Sequence, residues 1–298
     1  MKKVGQVIWG IFQVFTYILI QLIVGALVSM VYAIVRYLQM SGQGISDYNV
    51  ALSIILEDIS KSNYMMLASC FISLIAAVIY TIWYNKGYVK RKKVDLRKVL
   101  TPKNITVIVV LAVCVQIFLI TFVSIIEGMK PEWFTNYNEL MSQFGIGTSL
   151  QSFLYVAILG PIVEELLMRG LVLNQMKKAM PFLAANMVQA FLFALLHGNL
   201  VQGSYAFILG LLFGYVYQKY NTIYSTLLFH IAFNASGYLI DVVFRGVDFN
   251  FAMIIFLAVL SLVFSLLMIW KILRGENYTY IGDVAISTEE ETSQEIEE

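Results

Sequence analysis

Eight runs of apolar residues constrain this chain more than any other feature. Crossing a bilayer as a helix takes about 20 such residues. The runs cover residues 6–36, 64–84, 105–127, 149–177, 182–199, 203–220, 222–245 and 249–271. The fifth and sixth are short and are separated only by the break HGNLVQG. All are continuous rather than alternating, which is the wrong pattern for a closed β-barrel. Lipid offers the backbone no hydrogen-bond partners, so a continuous apolar run must satisfy itself as a helix. The expectation is an all-α membrane protein, a polytopic helical bundle of about eight transmembrane helices. Composition agrees: 13% of residues are charged, against about 25% in soluble domains.

The net charge is +1, which gives a nucleic-acid partner no electrostatic support. The expected partners are the lipid bilayer and a membrane protein or peptide substrate. The two cysteines, Cys70 and Cys114, lie in separate apolar runs and read as small core residues rather than a disulfide or metal pair. The first run follows Lys2 and Lys3 and is too long and bulky for a cleaved signal, so it reads as a retained span. Basic residues concentrate in 85–103, which predicts a cytoplasmic loop and, with eight spans, two cytoplasmic termini. Residues 275–298 carry eight acids and no base and read as a solvated cytoplasmic tail. Residues 48–59 read as either a short amphipathic helix or a plain loop on the outer surface. Three parts follow: helices 1–3 with the basic loop over 1–148, a core over 149–245, and the last helix with the acidic tail over 246–298.

Charged groups inside a membrane are costly and mark function by default. The fourth run contains GPIVEELLMRG at 160–170. Pro161 has no N–H and is expected to free the carbonyl of Ala157. Glu165 and Arg169 are four residues apart, on one helical face, and can neutralise each other. Glu164 lies about 100° away around the helix and has no obvious partner there. Both histidines of the chain also fall in spans. His197 ends FLFALLH, with Phe193 one turn before it, and His230 begins HIAFN, with Asn234 one turn beyond. Counting up from the basic ends at about 1.5 Å per residue places Glu164, His197, His230 and Asn234 in one layer.

A carboxylate can act as general base on a water. A neutral histidine can hold that water or move its proton. A second histidine and an asparagine can donate to a developing oxyanion. The set suits hydrolysis of an amide by activated water. The same Glu164, His197 and His230 could instead bind Zn²⁺ with an open position, and the residues alone leave that alternative standing. No HExxH helix is present.

Three motifs in consecutive apolar segments, EELLMR as EExxxR, FALLH as FxxxH and HIAFN as HxxxN, resemble those of the CPBP family. This is the CAAX-protease and bacteriocin-processing group, also called Abi. The resemblance covers roughly 149–240. It implies an intramembrane endopeptidase in which Glu164 activates water and His197 helps hold it. It further implies His230 and Asn234 as the oxyanion-stabilising pair, with Glu165 and Arg169 in support. The family has been described both as metalloproteases and as glutamate-dependent proteases; the metal-free reading is favoured, with no cofactor. The expected location is a bacterial plasma membrane. Two other classes stay open: a catalytically silent scaffold or immunity factor of the same fold, and a proton-coupled transporter.

Overall fold

The computed structural model describes residues 2–45, 47–88, 94–143, 150–244 and 246–275. Residues 89–93 of the basic loop and the acidic tail from residue 276 lie outside the described residues. Among the described residues nearly everything is helical and no strand occurs. In chain order the helices are α1 (Lys2–Gly42), α2 (Tyr48–Ser60), α3 (Ser62–Gly87), the short α4 (Leu96–Val99), α5 (Pro102–Met129) and α6 (Thr135–Gln143). A helical run over 150–176, here α7, follows, then α8 (Phe182–Leu196), α9 (Leu200–Tyr220), α10 (Ile223–Val243) and α11 (Phe251–Arg274). The chain is a multi-pass helical membrane bundle.

Among the described residues, six helices are long and apolar enough to cross a membrane: α1, α3, α5, α9, α10 and α11. The other two expected spans differ for separate reasons. Helix α8 has 15 residues, so it rises about 22 Å against a hydrocarbon core near 30 Å. Run α7 is not one regular helix. It passes from Leu150–Leu154 (α) to Tyr155–Leu159 (π), Gly160–Glu165 (α), Leu166–Leu173 (π) and Asn174–Met176 (α). Such π segments are rare and collect at functional sites.

The bundle is layered. Helices α1, α3 and α10 pack directly against α7, while α5 packs between α10 and α11. Helices α8 and α9 form an antiparallel hairpin at close range. A Cβ added to Gly210 would sit 2.9 Å from Cα of Ala190, and one on Gly203 would sit 3.1 Å from the Ala194 carbonyl oxygen. Small residues of this kind let membrane helices approach, where lipid supplies no hydrophobic drive for association. Helix α2 settles the ambiguity at 48–59 in favour of a helix. Asp47 caps it by accepting from Asn49 N and Val50 N, and Ala51 and Ile55 pack under Met40 at the far end of α1.

Candidate active site

The site begins with a backbone defect. In the π segment the helix bonds across five residues, as in Gly160 N–H to the Tyr155 carbonyl. The next donor in that register is residue 161, a proline with no N–H. The carbonyl five residues before it is Val156, and Asn234 Nδ2 donates to that oxygen at 2.7 Å. The expectation that Pro161 frees Ala157 assumed an α register. The carbonyl that Asn234 caps is displaced by one residue because the helix is π there.

Immediately after Pro161 come the two glutamates, which face different surroundings. Glu165 is buried, with 1% of its side chain exposed. Its Oε1 accepts from Arg169 Nη1 at 2.9 Å and from His230 Nδ1 at 2.8 Å. Arg169 is fully buried. Its guanidinium carbon lies 4.7 Å from the ring centre of Phe193 and 4.8 Å from that of Phe213, and Nη2 donates to the Gly210 carbonyl at 3.2 Å. A buried charge is tolerable only when paired and hydrogen-bonded in this way. Glu164 keeps 26% of its side chain exposed, and His230 approaches it from across the bundle, with Nε2 3.6 Å from Oε2.

The two histidines are oriented by different means. His230 is clamped: Nδ1 is bound to Glu165, and the ring stacks on Phe213 at 4.5 Å with 27° between planes. His197 is the C-cap of α8, followed by Gly198 at φ +64°, the left-handed conformation glycine supplies at helix ends. Asn199 then starts α9 by accepting from Val201 N and Gln202 N. The His197 ring meets Phe193 edge-on at 4.8 Å, and its Nδ1 lies 2.8 Å from the Phe193 carbonyl oxygen. A carbonyl only accepts, so Nδ1 carries a proton in this contact, which leaves Nε2 as the lone-pair nitrogen of the uncharged tautomer.

Glu164, His197, His230 and Asn234 all line one cavity of about 500 Å³. Tyr17 and Gln21 of α1, Gln116 of α5, and Tyr137 of α6 also contribute to its walls. Phe193 lines the cavity as well as covering Arg169. Glu165 and Arg169 lie behind the wall.

The zinc alternative fits poorly. Among the described residues, no three His, Cys, Asp or Glu side chains are gathered closely enough to hold an ion, Glu164, His197 and His230 included.

Sequence reasoning missed Phe213, which stacks on His230 and faces Arg169. A signal was available, since Phe213 lies between Gly210 and Gly214 in GLLFG, the spacing of a close helix contact. It missed Gln189, whose Nε2 donates to the Gly210 carbonyl at 2.8 Å, and the tyrosines and glutamines of the cavity wall. Those come from flanking helices whose spatial approach no local motif encodes.

No curated protein and no solved structure matches the chain. A family model described as type II CAAX prenyl endopeptidase Rce1-like matches residues 146–236. That stretch holds every residue singled out above in α7, α8, α9 and α10, and the match supports an intramembrane CAAX-type protease in general. The segment that builds the cavity is thus similar to the Rce1-like type II CAAX prenyl endopeptidases, in accord with the CPBP motifs it carries.

Proposed function

We propose that this protein is an intramembrane endopeptidase that hydrolyses a peptide bond with a water activated by Glu164. The observation that carries the reading is the division of labour between adjacent carboxylates. Glu165 is consumed by Arg169 and His230, while Glu164 faces the cavity shared with His197, His230 and Asn234.

In this reading a water sits between Glu164 and Nε2 of His197. Glu164 takes a proton as the water oxygen attacks the scissile carbonyl carbon. The carbonyl oxygen becomes an oxyanion. Asn234 has a second Nδ2 hydrogen beyond the one spent on Val156, and that hydrogen can donate to it. His230 presents Nε2 towards the same space, and as an imidazolium, with Nδ1–H on Glu165 and a second proton on Nε2, it gives the second donor. Glu165 holds the ring in place through Nδ1. Glu164 then delivers the proton to the leaving amine, and the C–N bond breaks. Donors held in place before reaction are worth most in a water-poor site of this kind.

The test is cleavage of an identified substrate by purified protein in detergent. The substrate is found by comparing membrane proteins and peptides in cells carrying the intact chain or Glu164→Gln. Intact protein cleaves it and Glu164→Gln does not, while both purify equally well. Unchanged turnover in Glu164→Gln defeats the mechanism. Activity lost to a strong chelator and restored by Zn²⁺ replaces the metal-free version with a metal-dependent one.

A further inference from the structure

The two ends of the bundle are chemically unlike, and the cavity opens towards only one of them. One end gathers the start of α1 and the ends of α3, α7, α9 and α11. Gln175 of α7 bonds Gln6 of α1 and accepts from Tyr88 after α3. Lys177 donates to Gln218 of α9 at 2.5 Å, and Lys219 donates to the carbonyls of Leu273 and Gly275 at the end of α11. Of the 15 basic residues among the described ones, this end takes 11: two at Lys2–Lys3, then Lys86, Arg97, Lys98 and Lys103, two at Lys177–Lys178, and Lys219, Lys271 and Arg274. Arg169 is interior. Among the described residues, only Arg36, Lys61 and Lys130 fall at the other end.

The cavity runs the opposite way. Glu164 lies 14 residues from the start of α7 and 12 from its end, so it sits about 20 Å from either surface. From there the wall climbs away from the basic end to His197 and Gln202 at the α8–α9 turn and to Tyr137 and Leu140 of α6. On the basic side of Glu164 the interior is filled by the buried Val163 and Leu167 and by the Glu165–Arg169 pair under Phe193 and Phe213. The separate cavity at that end reaches Glu165, not Glu164.

Positive charge in short loops marks the cytoplasmic side. Resting on the protease reading above, we infer that the site takes its substrate from the non-cytoplasmic side of the membrane, as an internal, uncharged stretch of peptide. The composition of the wall favours an internal, uncharged stretch. Among the described residues no Lys or Arg lines the cavity, so a free C-terminal carboxylate has no cation to meet and Glu164 repels it. Gln21, Gln116, Gln202 and the tyrosine hydroxyls offer the paired donors and acceptors that an extended backbone needs when it leaves water.

The side is tested without reference to proteolysis. Cys70 and Cys114 are replaced by serine, and one cysteine is introduced at a time into the full chain: Gln202→Cys or Leu140→Cys on the cavity wall, and Gly87→Cys at the basic end. Gly87 is exposed, and an added Cβ there meets nothing within 4 Å. A membrane-impermeant maleimide is applied to right-side-out and inverted vesicles. The expected result is labelling of both cavity positions at least tenfold faster in right-side-out vesicles, with Gly87→Cys reversed. Cavity cysteines reacting preferentially in inverted vesicles overturn the proposal and leave the protease reading intact. The expected labelling together with no proteolysis by intact protein keeps the cavity's side and removes the enzyme. For a cleaved peptide, amidating its C-terminus should change turnover less than twofold. A loss beyond tenfold shows carboxylate recognition and overturns the internal-segment assignment.

Discussion

In α1 only 6% of the most apolar 18-residue window is buried inside the bundle, and in α11 17%; in α9 the figure is 44%. The outer helices meet lipid through residues such as Leu22, Leu27, Phe256 and Val263. They are regular α-helices, and their polar residues are few. The inner group, α7 to α10, is built the other way. It contains the π segments, the 15-residue helix α8, the fully buried arginine and the glycine contacts of the α8–α9 hairpin. Apolarity alone is enough to place a helix in a membrane. Departures from it carry a cost that must be offset by specific partners, and the partners found here converge on the Glu164 cavity. The contrast between Glu164 and Glu165 is the same lesson one residue apart. One carboxylate is buried against Arg169 and His230, and the other faces the cavity.

The largest effect should come from the reactive side of that contrast. Removing a general base typically costs 10²–10⁴-fold, and Glu164→Gln is expected at about the upper end of that range, with unchanged thermal stability in detergent. Rates and melting curves measured on one preparation check both halves. A large loss of stability would move Glu164 to the structural class of Glu165.

The structural side breaks next. Arg169→Ala leaves Glu165 buried and uncompensated, a loss of about 3–5 kcal/mol, and should appear as lost monodisperse protein by size exclusion. Replacing both partners, as in Glu165→Leu with Arg169→Met, should recover much of the folded yield. It should not recover turnover, because His230 loses the acceptor for Nδ1. Recovery of full activity in the double variant would remove Glu165 from its positioning role.

Asn234→Ala should fall between the two classes. A lost oxyanion donor costs about 10²–10³ in rate, and the uncapped Val156 carbonyl costs about 1–3 kcal/mol. Activity and melting temperature should therefore drop together while residual turnover stays measurable. A drop in stability alone would make Asn234 a helix cap and nothing more.

The outer helices should respond least. Phe256→Leu and Leu260→Ala on the lipid face of α11 are expected to change stability by about 0.5 kcal/mol or less. Outside the membrane, hydrogen bonds from Lys61 and Arg36 hold the Asp58 carboxyl below its ordinary value. A depressed folded value means this contribution is present above the ordinary carboxylate range and is lost as pH falls through the lowered one. Hydrogen exchange across α2 should then rise at acidic pH in the intact protein. In Asp58→Asn it should be faster at neutral pH and nearly flat with pH.

Much of this protein was legible in its sequence because lipid is a demanding solvent. A run of 20 apolar residues has few ways to satisfy its backbone, so the helices could be read one by one. Charges in such a solvent need partners, so Glu165 and Arg169, four residues apart, could be paired before any coordinates. The spacing of His230 and Asn234 placed them on one helical face for the same local reason. What the sequence by itself did not determine is whatever depends on which helices touch. The π register around Pro161 passes the cap from Ala157 to Val156, because Asn234 reaches it across the bundle. Phe213 becomes the platform for His230 only when α9 is drawn in against α8. The cavity wall is assembled from α1, α5 and α6, far along the chain from the motifs. In lipid no hydrophobic gain separates one apolar contact from another, so close packing and cross-helix hydrogen bonds decide the arrangement, and those exist only in the folded bundle.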